Sequence, residues 1–262
     1  LDSSGNYVWA KTFGSNTGHR ADEAYLLTLD SSGNIHVSGK FVGPVDFDPG
    51  AGTAELTPAG VGSERADGDV FVLKLDPSGS YVWAKGLGGS GYDSPRAMAI
   101  DSSGNVHIAG TFQETADFDP GAGTVNLTSS NSDVFVSKLD SSGNYVWAKS
   151  ISSADTISAP SMGIDSSGNV YATGFWPTGR TIDFDPGAGT VNLTNETPDL
   201  HVWLAKLDSS GNLAPGGTTN PGFTLSTTSV SVAESGTTAT FSVVLNTQPA
   251  SNVVIYAFSS DP

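Results

Sequence analysis

The sequence predicts an all-β fold: three tandem four-stranded antiparallel units followed by part of a β-sandwich. Three observations carry that reading. A turn string, Asp-x-Ser-Gly-Asn/Ser, begins at Asp2, Asp30, Asp76, Asp101, Asp140, Asp165 and Asp208. The segments between these turns are short alternating runs of Val, Ile, Tyr, Phe and Trp, the pattern of antiparallel hairpins. Long Ala, Leu, Glu and Lys stretches with a 3.6-residue period are absent, so helix is expected to be minor.

The turns come in two kinds. One reads Leu-Asp-x-Ser-Gly-Asn/Ser-Tyr-Val-Trp-Ala-Lys, at residues 1–11, 75–85 and 139–149. The other leads into a strand that ends in Gly, at residues 35–39, 106–110 and 170–174. A third string, Asp-Phe-Asp-Pro-Gly-Ala-Gly-Thr, starts at Asp46, Asp117 and Asp183, in steps of 71 and 66 residues. The repeating unit is therefore about 65–70 residues and occurs three times. In each turn the Asp side chain caps backbone N–H groups and the Gly supplies a positive φ.

Each unit reads as four strands, which in the second are 96–100, 106–112, 134–139 and 145–149. The run 70–75 places Phe71, Leu73 and Leu75 on one face and Val70 and Val72 on the other. A strand apolar on both faces lies between two packed layers, as in a propeller-like array of blades. Trp9, Trp83 and Trp147 fall at one position of the repeat and are expected to fill one slot. The units span about 15–88, 89–152 and 153–213, with 1–14 a stray fourth strand, 214–222 a Pro/Gly/Thr linker and 223–262 the start of the sandwich.

Residues 69–89, Asp-Val-Phe-Val-Leu-Lys-Leu-Asp-Pro-Ser-Gly-Ser-Tyr-Val-Trp-Ala-Lys-Gly-Leu-Gly-Gly, resemble the bacterial beta-propeller repeat called SBBP, as do residues 99–111. The resemblance recurs through residues 1–213 and implies a large secreted or surface protein without known catalysis. Three units fall short of the four blades a closed propeller usually needs. The third unit enters its last turn at Asp208 without a following Tyr-Val-Trp-Ala-Lys strand. Either an N-terminal strand completes it, from the same chain or a neighbour, or further repeats precede Leu1.

Beyond the linker, the runs Val-Ala-Glu-Ser-Gly at 232–236 and Val-Ile-Tyr-Ala-Phe-Ser-Ser-Asp at 254–261 resemble the opening of a Calx-beta module, an immunoglobulin-like sandwich. That resemblance implies calcium ligation by Glu234 and Asp261. Forty residues are well short of a sandwich of about 100, so both ends of the chain are expected to be cuts in a longer protein.

With 27 acidic and 11 basic residues the chain carries a net charge of −16, which disfavours nucleic acid and anionic lipid as partners. No window is apolar enough to span a bilayer. Cysteine is absent, which excludes a disulfide scaffold and thiolate metal sites while remaining compatible with secretion. The resemblance implies an extracellular or cell-surface location, which the acidic charge suits and the lack of cysteine does not exclude.

The strongest candidate site is the Asp-Phe-Asp-Pro-Gly loop. Asp46/Asp48, Asp117/Asp119 and Asp183/Asp185 each offer two carboxylates at i and i+2, suited to Ca²⁺. The alternative is that these Asp cap a turn while Phe47, Phe118 and Phe184 anchor it. Trp176 lies outside the repeated Trp slot and is a candidate sugar platform if exposed, or loop packing if not. Of His19, His36, His107 and His201, the second and third are equivalent and the third repeat has Tyr171 there, which argues for packing. Asn126, Asn192 and Asn195 stand in glycosylation-type sequons. No nucleophile elbow or phosphate-binding loop appears, and the prominent Asp recur in every unit, whereas a catalytic residue is normally singular. The expected function is a non-catalytic structural component of a surface or extracellular assembly: a stalk, matrix or filament that self-associates through strand edges. The alternative is an adhesive or carbohydrate-binding module. The expected partners are copies of the chain or neighbouring modules, and possible glycans.

Overall fold

The computed structural model describes residues 1–14, 22–59, 68–153, 157–176, 179–196, 199, 201–214, 223–225 and 243–245. All regular structure among them is strand, and every sheet is antiparallel. The chain separates into Leu1–Leu213 and Ala214–Pro262.

In the first repeat, β1 (Glu23–Leu29), β2 (Ile35–Phe41), β5 (Asp69–Leu75) and β6 (Tyr81–Gly89) form one sheet in that order, with β3 (Val45–Asp46) and β4 (Glu55–Leu56) a short hairpin between β2 and β5. In the second, β7 (Ser94–Ile100), β8 (Val106–Asp117), β9 (Asn126–Leu139) and β10 (Tyr145–Ser153) pair in sequence order. In the third, β11 (Ser158–Ile164), β12 (Val170–Trp176) and β15 (His201–Leu207) make a three-stranded sheet, and β13 (Thr181–Asp183) pairs with β14 (Asn192–Thr194).

The turn chemistry is uniform. At Asp101, Oδ1 accepts the N–H groups of Ser103 and Asn105 at 2.9 and 3.0 Å, and Oδ2 accepts the Asn105 amide at 2.8 Å. The Gly104 N–H closes the turn on the Asp101 carbonyl at 2.9 Å.

β8 and β9 are longer than their apolar runs. The sequence suggests that the second strand stops at 112; instead β8 passes an irregularity after Phe112 and pairs Glu114 to Asp117 with Ser129 to Asn126. The polar Gln-Glu-Thr run reads as loop, yet Ala116 beyond it is fully buried and anchors the extension. The loop string Asp-Phe-Asp-Pro-Gly is therefore the tip of a projecting hairpin.

That hairpin joins successive units. The end of β6 pairs Gly88 with Asp117 and Gly89 with Ala116, and the end of β10 pairs Ser152 with Asp183 and Ser153 with Ile182. Gly14 bridges Asp46 in the same way, so residues 7–14 occupy the place of a fourth strand preceding the first unit. They do not complete the third unit of their own chain: among the described residues β15 pairs with β12 and, at Leu207, with Leu213.

The cores lie between units. Val70, Val72, Trp83 and Leu87 of the first unit pack with Val106, Ile108, Phe112 and Phe118 of the second. Val134, Val136, Trp147 and Ile151 of the second pack with Val170, Ala172, Ile182 and Phe184 of the third. A smaller cluster at the front of the first unit holds Val37, Phe41, Phe47, Phe71 and Leu73 with Phe13 against it. β5 thus faces two cores, Phe71 and Leu73 into one and Val70 and Val72 into the other, as its alternation requires.

In the second part, β16 (Phe223–Leu225) pairs antiparallel with β17 (Val243–Leu245). Glu234 and Asp261 lie outside the described residues.

Candidate functional site

The carboxylates of the projecting hairpins face their own backbone. Asp117 Oδ1 accepts the N–H of Asp119 at 2.9 Å and of Val125 at 2.8 Å, and Asp119 Oδ1 accepts the Gly121 N–H at 2.8 Å. Asp46 and Asp48 do the same for Asp48, Ala54 and Gly50; Asp183 and Asp185 do so for Asp185, Val191 and Gly187. The N–H groups of Ala54 and Asp48 hold the Asp46 carboxyl below its usual range. Phe47, Phe118 and Phe184 are buried beneath. A divalent cation of the calcium type takes six to eight oxygens. Among the described residues no three His, Asp or Glu side chains gather for one, and each of these six Asp turns its Oδ1 onto a backbone N–H, the turn-capping alternative.

For Trp176 the structure takes the packing alternative over the exposed sugar platform. It is 4% exposed, its indole N–H donates to the Arg180 carbonyl at 3.3 Å, and its ring packs against Phe184 and His201. Its position next to the Pro-Thr-Gly run suggests a surface loop, but the ring turns inward to fill the unit's own core. It offers no face to a sugar. Asn195 is also buried, with its amide donating to the Asp199 carbonyl at 2.7 Å, which closes that sequon to modification.

A polar cluster recurs beneath each first turn. In the first unit His36 Nε2 and Lys74 Nζ both lie 3.4 Å from Asp30 Oδ2. In the second, His107 and Lys138 lie 3.2 and 3.3 Å from Asp101 Oδ2. In the third, the Tyr171 hydroxyl is 3.3 Å and Lys206 4.0 Å from Asp165. Burial drives both His pKa values down, against the pull of the partner Asp. Burial opposes ionisation of Asp30 and Asp101 too, but hydrogen bonds from the turn Asn and from the His outweigh it and hold both acids well below the usual range. Asp30 and Asp101 side chains are 6% and 11% exposed, whereas Asp165 is 32% exposed. In the first two clusters the Trp of the same unit, Trp83 or Trp147, packs edge-on against the His, and Lys74 Nζ also reaches the Ser141 carbonyl of the following unit at 3.5 Å. These are packed ion clusters with neutral His, and their oxygens are already engaged.

A cluster that the repeat pattern does not reveal sits at the junction of the first two units. Asp69 and Asp93 are both buried, and a Cβ on Gly88 would meet Asp69 Oδ1 and Asp93 Oδ2, each at 2.7 Å. Asp69 Oδ2 accepts the Ala59 N–H and Asp93 Oδ2 the Gly89 N–H, at 2.7 and 2.8 Å. Among the described residues, the two Oδ1 atoms and Ser94 Oγ have no hydrogen-bond partner. Burial raises Asp69 to about 7. Burial and then the charge of Asp69 raise Asp93 to about 8. At the next junction Ile157 takes the place of Asp93, its N–H on the Ser132 carbonyl as the Asp93 N–H is on that of Gly68. Asp69 and Asp93 do not recur as a pair, which is the sequence signal that marks them.

The repeated Trp locks units together. Trp83 Nε1 donates to the Ser141 carbonyl at 3.2 Å and Trp147 Nε1 to the Ser209 carbonyl at 3.1 Å, each in the last turn of the following unit. The same rings stack edge-on against His36 and His107 of their own units.

Antiparallel sheets of repeated sequence, packed face to face through shared cores, define a β-propeller type repeat. Residues 82–111, which run from the locking Trp into the following unit, match the SBBP beta-propeller repeat. The chain is also 23% identical over 215 residues, 70% of its length, to an uncharacterized WD repeat-containing protein of Acanthamoeba polyphaga mimivirus. It is 29% identical over 111 residues, 42% of its length, to the regulatory protein FlaEY of Caulobacter vibrioides. The chain spans 14% and 12% of the lengths of these two relatives.

Proposed function

We propose that the chain is a non-catalytic protein-interaction scaffold that serves a larger assembly at the cell surface or outside the cell, as part of a stalk, matrix or filament. One observation carries this reading. The side chains that recur in every unit direct their polar atoms inward, onto turn N–H groups, hairpin N–H groups or buried Lys and His, while the terminal units carry exposed apolar strand residues. Such faces engage protein. The acidic charge suits an extracellular setting, and the absence of cysteine does not oppose one. A carbohydrate-binding role rested on Trp176, whose burial removes its support.

The test is fractionation and negative-stain microscopy of the native protein from the cells that make it. Ordered polymers or surface-associated complexes are expected. Monodisperse protein confined to the cytoplasm contradicts the reading.

A further inference from the structure

The seam between the first two units is closed over a pair of acids. Asp69 opens β5 in the first unit, and Asp93 stands directly before β7 in the second. The Asp93 N–H donates to the Gly68 carbonyl at 3.2 Å, and Asp93 Oδ2 accepts the Gly89 N–H, at the end of β6, at 2.8 Å. Asp93 thus holds two segments of the unit before it. At the same place Gly88 and Gly89 pair with Asp117 and Ala116 of the projecting hairpin.

The oxygens of the pair tell which form the acids take. Asp69 Oδ2 and Asp93 Oδ2 each accept a backbone N–H, as the carbonyl oxygen of a carboxylic acid does. The two Oδ1 atoms have no partner among the described residues and are closed off from solvent. An ionised carboxylate buried in this way carries an uncompensated charge. A proton on each Oδ1 removes that charge and needs no further space. The acids press on Gly88, whose φ is +153°: a Cβ there would lie 2.7 Å from both Asp69 Oδ1 and Asp93 Oδ2.

Among the described residues no cation is turned onto the pair. Lys40 of β2 lays its stem against Gly68 but its ammonium over the Tyr92 ring, 4.9 Å from the centroid. Lys74 of β5 is bound to Asp30, and Lys85 of β6 lies against Gly143. Arg96 of β7 is exposed, and its charge bears on Tyr25. Glu114 of β8, bonded by the Ser90 hydroxyl at 2.6 Å, adds further negative charge beside Asp93.

We infer that Asp69 and Asp93, while protonated, latch the first two units together, and that ionisation of the pair parts this seam and not the next. The protons pass from the two Oδ1 atoms to solvent base and leave two buried carboxylates across the seam. Burial, and for Asp93 the charge of Asp69 as well, raises the pair to about 7 and about 8, whereas in an opened seam both acids ionise near 3.8. Opening therefore releases protons, so it gains on closure as pH rises to about 8. The second seam has the same frame, with Asp133 before Val134 as Asp69 stands before Val70, but Ile157 replaces Asp93 and the second charge is missing. A titrating group that biases one packed interface is a local switch. This one is independent of what the scaffold binds.

Hydrogen exchange of the whole chain tests it, read as the ratio of protection at two equivalent pairings so that the intrinsic effect of pH cancels. One is Gly88–Gly89 with Ala116–Asp117, and the other is Ser152–Ser153 with Ile182–Asp183. From about pH 6 to about pH 8.5 protection at the first should fall relative to the second by roughly tenfold or more. The Asp69→Asn/Asp93→Asn chain should show one ratio at both pH values, since each amide oxygen still accepts its N–H. Asp93→Asn alone should show a smaller fall than the unsubstituted chain. Calcium added at the higher pH should leave the ratio unchanged. Four results overturn the inference: equal loss at both pairings, a fall that survives the double substitution, a full-sized fall in Asp93→Asn, or recovery with calcium, which would make the pair a cation site.

Discussion

Trp83 lies against Gly143 of the following unit: a Cβ on that glycine would sit 3.0 Å from the indole ring and 2.9 Å from the Lys85 chain. Gly143 has φ +79°, and the carbonyl two residues before it accepts the indole N–H. The turn glycine therefore serves two ends, a left-handed backbone and a flat seat for the neighbour's ring. Gly104, also at φ +79°, has only Ser141 Cβ at 3.4 Å. Gly104→Ala should cost about 1–2 kcal/mol from backbone conformation alone. Gly143→Ala should cost about 1–3 kcal/mol more, from overpacking at the junction. Urea denaturation of the two variants makes the comparison, and equal losses would disprove the seating role.

The Asp69–Asp93 pair sets a pH dependence. Both acids hold protons more tightly in the fold, to about 7 and about 8, than at the ordinary 3.8. The folded chain thus binds more protons than the unfolded chain between about pH 4 and pH 8, and their contribution falls as pH rises through that window. Asp93→Asn should flatten this part of the profile and raise stability at pH 8 by on the order of 1–3 kcal/mol, the cost of a buried unpaired group. Melting curves at pH 5 and pH 8 for both chains test it. Unchanged slopes would place the pair in water.

The hairpin carboxylates cap their own backbone N–H groups. Asp117→Ala should cost about 1–2 kcal/mol by stripping the acceptor from the Asp119 and Val125 N–H groups. Calcium and EDTA should leave the melting curve of residues 1–213 superimposable. A rise in melting temperature with calcium would contradict the inward orientation of these oxygens.

Trp176→Ala should destabilise the third unit by about 3–5 kcal/mol as a core truncation, with Trp176→Phe much milder. On a glycan array neither variant should differ from the unsubstituted chain. Selective loss of a glycan signal in a fully folded Trp176→Phe chain would restore the sugar-platform reading.

Much of the fold is legible because its signals are local. The Asp-x-Ser-Gly-Asn/Ser turns state their own hydrogen bonds, and the double-faced alternation of residues 70–75 announces a strand between two cores. The repeated Trp slot is legible as a slot, but the partner turn that it seats on is not, since nothing in the Trp strand names Ser141 or Gly143. Trp176 misleads because a loop-like neighbour says nothing of ring direction. The hairpin extension of β8 is hidden by a polar Gln-Glu-Thr run whose pairing is held by distant Ala116. Asp69 and Asp93 are illegible as a pair because their meeting depends on the junction of two units, 24 residues apart in the chain.

The account's central claim is that cohesion resides between units more than within them. Hydrogen exchange in dilute solution tests this most directly, by comparing equivalent amides in β9 and β15. The account predicts that the amides of Val134 and Val136, with neighbours on both faces, exchange on the order of 100-fold more slowly than those of Val202 and Leu204. Equal protection of the two strands, with the three units opening independently, would contradict it.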